Sequence, residues 1–276
     1  MPTFLTAYRW ELRKLVSQKR TYLGLGAAIA VPLIFVTALS LQSGSPNDVA
    51  FGKYVRESGL AIPLVLLLFA SVWLFPLVTA LVAGDIIASE HHNGTLKTIF
   101  TQKPSRLTVF VAKFWALVVV SLVLTVLVLA ASAASSAVLA LLDGQALQWP
   151  DLLTIVEATG ALWLILVVWT GFGVLLAVIC QQSALAVGIG LVYGFVVEGL
   201  IFGIFGSNAT LRSIEKAFPG ANAQSLTDAF GQAIRGRLGA SQTALVDPAQ
   251  AVIVLVAFTI AFLLISSVLV TRRDLA

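Results

Sequence analysis

Six apolar runs, each long enough to cross a lipid bilayer, constrain this chain more than any other feature. A helix rising 1.5 Å per residue needs about 20 residues to cross a hydrocarbon core of roughly 30 Å. Residues 21–41, 61–83, 107–142, 158–179, 184–205 and 249–270 all meet that length. Hydrophobic residues make up 59% of the 276 and charged residues only 11%. A soluble core of this size could not hide so much apolar surface, so the bilayer is the solvent. The expected fold is an all-α integral membrane protein, with an N-terminal amphipathic interfacial helix and six transmembrane helices forming a single domain over 1–276.

Residues 3–20 read as the interfacial helix. Leu5, Tyr8, Leu12, Leu15 and Val16 share one face with Phe4 at its margin, while Arg9, Arg13 and Lys14 point elsewhere. A basic face opposite an apolar one suits the surface of an anionic leaflet. Trp10 falls off the apolar face, and the plainer alternative is a basic flank that orients the first span. With six spans both termini share a side. Lys/Arg counting puts that side in the cytoplasm, with eleven basic residues in the segments beside the termini, in the 84–106 loop and at Lys113 just inside the third span, and six in the outer loops. The chain is therefore expected to be a multi-pass protein of the cell membrane, of bacterial cytoplasmic-membrane type. The net charge of +4 is no sign of nucleic-acid binding, because the basic residues cluster at span ends. Lone Cys180 excludes an intramolecular disulfide. No cleavable signal peptide is expected, since the first twenty residues are charged throughout.

Catalytic motifs are missing from the sequence: it has no G-x-x-x-x-G-K-[ST] phosphate loop, no H-E-x-x-H and no G-x-S-x-G. His91 and His92 have no third ligand nearby, and neighbours on a helix point about 100° apart, so no metal site is expected. Two places stand out instead. The first is the cytoplasmic loop 84–106. Gly94 interrupts it, Asn93 or Thr95 can cap a helix, and Pro104 ends that helix. Leu96, Ile99 and Phe100 then form an apolar face at i, i+3, i+4, on a helix too short to be stable unless it docks.

The second place is Glu198, near the middle of the fifth span, where a charge is costly unless it is paired or wet. It either lines a pathway and meets a polar or cationic substrate, or pairs inside the bundle. Around it, Gly190-x-x-x-Gly194 and Gly199-x-x-x-Gly203 allow helices to approach closely. The long outer segment 206–248 repeats apolar residues at near-helical intervals. It reads as two short amphipathic helices broken at Pro219-Gly220, either capping an outer mouth or forming a plain interfacial loop.

Glu90, Gly94-Thr95-Leu96, Pro104-Ser105-Arg106 and Lys113 together resemble the cytoplasmic loop of the permeases of type-2 ABC exporters. Glu11–Tyr22 is similar to the amphipathic connecting helix of the same family, and the six-span pattern extends the resemblance over nearly the whole chain. The resemblance implies type-2 ABC exporter transmembrane architecture and a permease without ATPase activity of its own. It also implies a coupling helix, with Glu90, Gly94, Thr95, Leu96, Ile99 and Phe100 against a separate P-loop ATPase. Two such ATPases would bind ATP and Mg, beneath a pair of permease subunits of the same or a related chain, among membrane lipids. The cargo is expected to be hydrophobic or amphipathic: a lipid, drug or peptide. The alternative is an ATP-independent channel or secondary carrier, which predicts broken helices and internal repeats that the sequence does not display.

Overall fold

The computed structural model describes residues 4–40, 79–80, 82–87, 106–144, 146, 151–201, 209–237 and 245–272, and no strand occurs among them. In chain order the helices are α1 (Phe4–Ser17), α2 (Lys19–Ser40), a short piece at 82–87, α3 (Arg106–Leu142) and α4 (Leu152–Cys180). After these come α5 (Ser183–Val192), a π-helix (Tyr193–Ile201) that continues it, α6 (Ala209–Glu215), α7 (Pro219–Arg237) and α8 (Pro248–Arg272). Four stretches among the described residues are long and apolar enough to cross a membrane: Thr21–Ala38, Leu107–Leu142, Leu152–Cys180 and Pro248–Arg272. They fall on the first, third, fourth and sixth apolar runs. The fifth run is followed as far as Ile201 by α5 and the π-helix. Most of the second lies outside the described residues.

Element ends differ from the sequence reading where side chains, not hydropathy, decide them. The helix that includes 82–87 passes the expected boundary at Ala83 because Ile86 and Ile87 are buried in the core. Helix α4 begins six residues before the expected Ala158. Leu152, Leu153 and Val156 in that added stretch are exposed, so backbone hydrogen bonding carries the helix beyond its packed part. At its other end, Gln181 adopts a left-handed conformation (φ 54°) and its N–H closes on the Ala177 carbonyl, which stops the helix. With 37 residues, α3 is roughly 55 Å long and outruns the bilayer core.

Helix α4 is the post around which the others pack, with 78% of its spanning window buried. One apolar cluster joins it to α1, 82–87 and α3 through Leu15, Ile86, Phe114 and Val174. A second joins it to α7 and α8 through Ile165, Leu226 and Leu255. A third joins it to α2 and α3 through Ala28, Val128 and Leu166. Trp163 on α4 donates its indole N–H to the Val118 carbonyl on α3 at 3.1 Å. Where residues 79–80 cross α4, Gly173 has the Ala80 backbone carbonyl in the space a Cβ would occupy, a backbone approach that only glycine allows.

Two helices fall in 206–248 as expected, but only α6 is short, at 7 residues; α7 has 19. The break falls at Lys216–Phe218, so Pro219 opens the second helix, where its missing N–H costs nothing. Helix α7 packs into the bundle against α8 and α4 with buried polar residues. Ser225 and Thr227 donate back to carbonyls of their own helix, and the Asn222 amide closes the turn before it through the Lys216 and Phe218 carbonyls.

Candidate functional site

At the α1 end, two ties hold the helices that flank the loop. Residues Glu90, Gly94, Thr95, Leu96, Ile99 and Phe100, with most of the 84–106 loop, lie outside the described residues. Its flanks are described. On one side Ile86 and Ile87, and on the other Phe110 and Phe114, are buried in the same cluster as Leu15. Tyr8 and Leu12 pack against that cluster, so α1 meets the bundle through Tyr8, Glu11, Leu12 and Leu15, one helical stripe. Leu5 and Val16, read with Tyr8, Leu12 and Leu15 as one apolar face for the membrane surface, are exposed, and Glu11 stands in the stripe that meets the bundle.

Glu11 is buried because Lys113 is buried opposite it, with Nζ 3.8 Å from Oε1 and both side chains at most one-tenth exposed. That distance is an ion pair rather than a close hydrogen bond. Removing one partner of such a pair leaves an uncompensated buried charge. The second tie links Asp85, just past the expected end of the second span, to the Ser183 hydroxyl that opens α5. The two ties thus join 82–87 to the start of α5 and the start of α3 to α1.

Away from this end, Glu198 sits in the π-helix and accepts two hydrogen bonds on one carboxylate oxygen. The donors are the Tyr193 hydroxyl at 2.9 Å and the Gly220 backbone N–H at 3.1 Å. Gly220 is in the first turn of α7, so the carboxylate lies at the positive end of that helix. The side chain fills the space a Cβ on Gly220 would need. Tyr193 is set in an aromatic group with Trp169, Phe172 and, through Phe172, Phe262. Gly190 and Gly194 are buried, Gly199 lies within the π-helix and Gly203 is outside the described residues. No group of three or more His, Cys, Asp or Glu residues able to hold a metal occurs among the described residues.

Sequence reasoning singled out Glu198 but missed its partners. Tyr193 is five positions away, which in an α-helix puts the two side chains about 140° apart. The π-helix bonds i to i+5 and stacks them. No local pattern announces that change of period. Glu11 and Lys113 were each part of a motif, but nothing in the sequence says that the motifs touch.

The family model described as "ABC-2 family transporter protein" matches residues 8–197. No curated protein matches the chain. The matched region takes in α1 from Tyr8 onward, α2 to α5 and the Glu11–Lys113 and Asp85–Ser183 ties, and it ends one residue before Glu198. The chain belongs to the ABC-2 family of transporter proteins.

Proposed function

We propose that this chain is the membrane-spanning permease subunit of an ATP-driven exporter, moving a hydrophobic or amphipathic substrate such as a lipid, drug or peptide. Residues 84–106 couple it to a separate P-loop ATPase that binds ATP and Mg, two copies serving a pair of permease subunits. Both termini and the coupling loop face the cytoplasm. Family membership implies an ATPase partner in general terms. The observation that carries the finer reading is the anchoring of both flanks of the loop. The end of the second span is tied to α5 through Asp85 and Ser183, and the start of α3 is tied to α1 through Lys113 and Glu11. A push on the loop therefore reaches several helices at once, as a switch between two packings requires. Leu96, Ile99 and Phe100 are the docking face in this reading, with Glu90 as its polar contact and Gly94-Thr95 as its turn.

Glu198 was open to two roles, and its geometry supports pairing inside the bundle. Its two donors and its place at the start of α7 make it a brace between the fifth span and the α6–α7 segment.

Co-purification tests the main reading. A companion protein carrying a phosphate loop, with ATPase activity that rises when the right lipid, drug or peptide is added to the reconstituted complex, is the expected result. Nucleotide-independent transport by the isolated chain would instead support a channel or secondary carrier.

A further inference from the structure

A cavity of about 100 Å³ lies inside the bundle near the α1–α2 joint. Leu15 and Thr21 line it at the joint, and Leu117, Val128 and Leu166 line it along α3 and α4. Its volume is several times the ~10–15 Å³ that one water needs. The lining is nevertheless unsuited to water. The hydroxyls of Thr21, Ser121 and Thr170 each donate to a backbone carbonyl nearby, and Thr79 is also engaged, so water would find few groups to bond. A dry cavity of this kind takes apolar guests.

Its shape and its surroundings narrow the guest. From Leu117 to Val128 the lining runs roughly 16 Å along α3, about half of the ~30 Å hydrocarbon core and thus the depth of one leaflet. Ala27 and Val82 are among the lining residues and are themselves exposed, so the cavity reaches the surface between α2 and 82–87. Among the described residues of α1 and the α1–α2 joint, the exposed charges are all basic. Arg9, Arg13 and Lys19 are exposed and Lys14 is half-buried, whereas the one acid of α1, Glu11, is buried against Lys113. Such a basic surface beside a membrane attracts anionic lipid.

We propose that this cavity holds one acyl chain of an anionic phospholipid from the leaflet on the α1 side, with its phosphate at the α1–α2 joint. The lipid is a resident component that wedges α2 against α3 and α4, and it is distinct from any transported cargo. This inference is independent of the coupling reading.

The test is mass spectrometry of lipid retained by the full chain purified in mild detergent. Wild type should retain an anionic phospholipid in preference to zwitterionic ones. Gly24 lines the cavity, and a Cβ there meets no atom within 4 Å, so Gly24→Phe fills the space without a backbone collision. Its retained lipid should fall about tenfold while helical content is unchanged. The double variant Lys14→Glu/Lys19→Glu, which leaves the cavity intact, should still retain lipid but lose the preference for anionic headgroups. With delipidated protein, added anionic phospholipid in mixed micelles should raise the melting temperature, and inorganic phosphate should not. A wild type that retains no lipid, equal retention by Gly24→Phe, an unchanged headgroup preference in the double variant, or stabilisation by phosphate alone would each overturn the proposal.

Discussion

Two acids of this bundle, buried Glu11 and half-buried Glu198, are accommodated in opposite ways. Glu11 on α1 faces the ammonium of Lys113, a full charge brought from another helix. Glu198 has only neutral donors, a phenol from its own helix and a backbone N–H from the start of α7. The first arrangement depends on a particular long-range partner and joins α1 to the start of α3, one flank of the loop. The second depends on helix geometry, since the π-turn supplies Tyr193 and the helix terminus supplies Gly220. A charge pair is therefore the more fragile device. The brace of neutral donors tolerates changes that keep an acceptor in place.

Several substitutions can break or sharpen that contrast. The largest effect is expected from Lys113→Met, which strands Glu11 and should cost roughly 3–5 kcal/mol of stability. It should lower the melting temperature of the purified protein, and Glu11→Leu/Lys113→Met should recover most of the loss. If the double variant melts as low as the single one, the pair is not what holds α1. Next comes Gly173→Ala, whose Cβ meets the Ala80 backbone; overpacking of this kind costs about 1–3 kcal/mol. Gly220→Ala should cost less than Gly173→Ala, because its Cβ meets the end of a flexible side chain that can swing aside. A melting series in one detergent ranks the two. Tyr193→Phe removes one of two donors to the Glu198 carboxylate and should cost about 1.5 kcal/mol, in the range of hydrogen bonds to charged groups. The smallest effect is expected from Glu198→Gln, whose amide oxygen still accepts from both donors. Assembly should be intact and substrate preference unchanged. An altered preference across a substrate panel would move Glu198 from brace to pathway.

What could be read from the sequence was whatever has a local cause. Apolar length alone located the described spans, because backbone groups in lipid leave a helix few alternatives. The α6–α7 pair announced itself through Pro219 and the spacing of Leu211, Ile214 and Leu226. Glu198 stood out as a charge in an apolar run. Three things were not legible. The stripe by which α1 meets the bundle was one, because a charged residue, Glu11, belongs to it and hydropathy selects only apolar positions. The Tyr193–Glu198 bond needs a five-residue period that no residue type encodes by itself. The approach of Gly173 to Ala80 joins positions far apart in sequence, and single glycines in α4 carry no label that says which one is crossed. The docking face Leu96, Ile99 and Phe100 was read only from spacing and family likeness.

The claim that matters most is that residues 84–106 transmit force from an ATPase. The direct measurement is the ratio of substrate moved to ATP hydrolysed in the reconstituted complex, for wild type, Leu96→Asp and Glu90→Ala. The account predicts that both variants either release the ATPase or hydrolyse ATP with little transport. Normal transport by both variants with the ATPase still bound would contradict it.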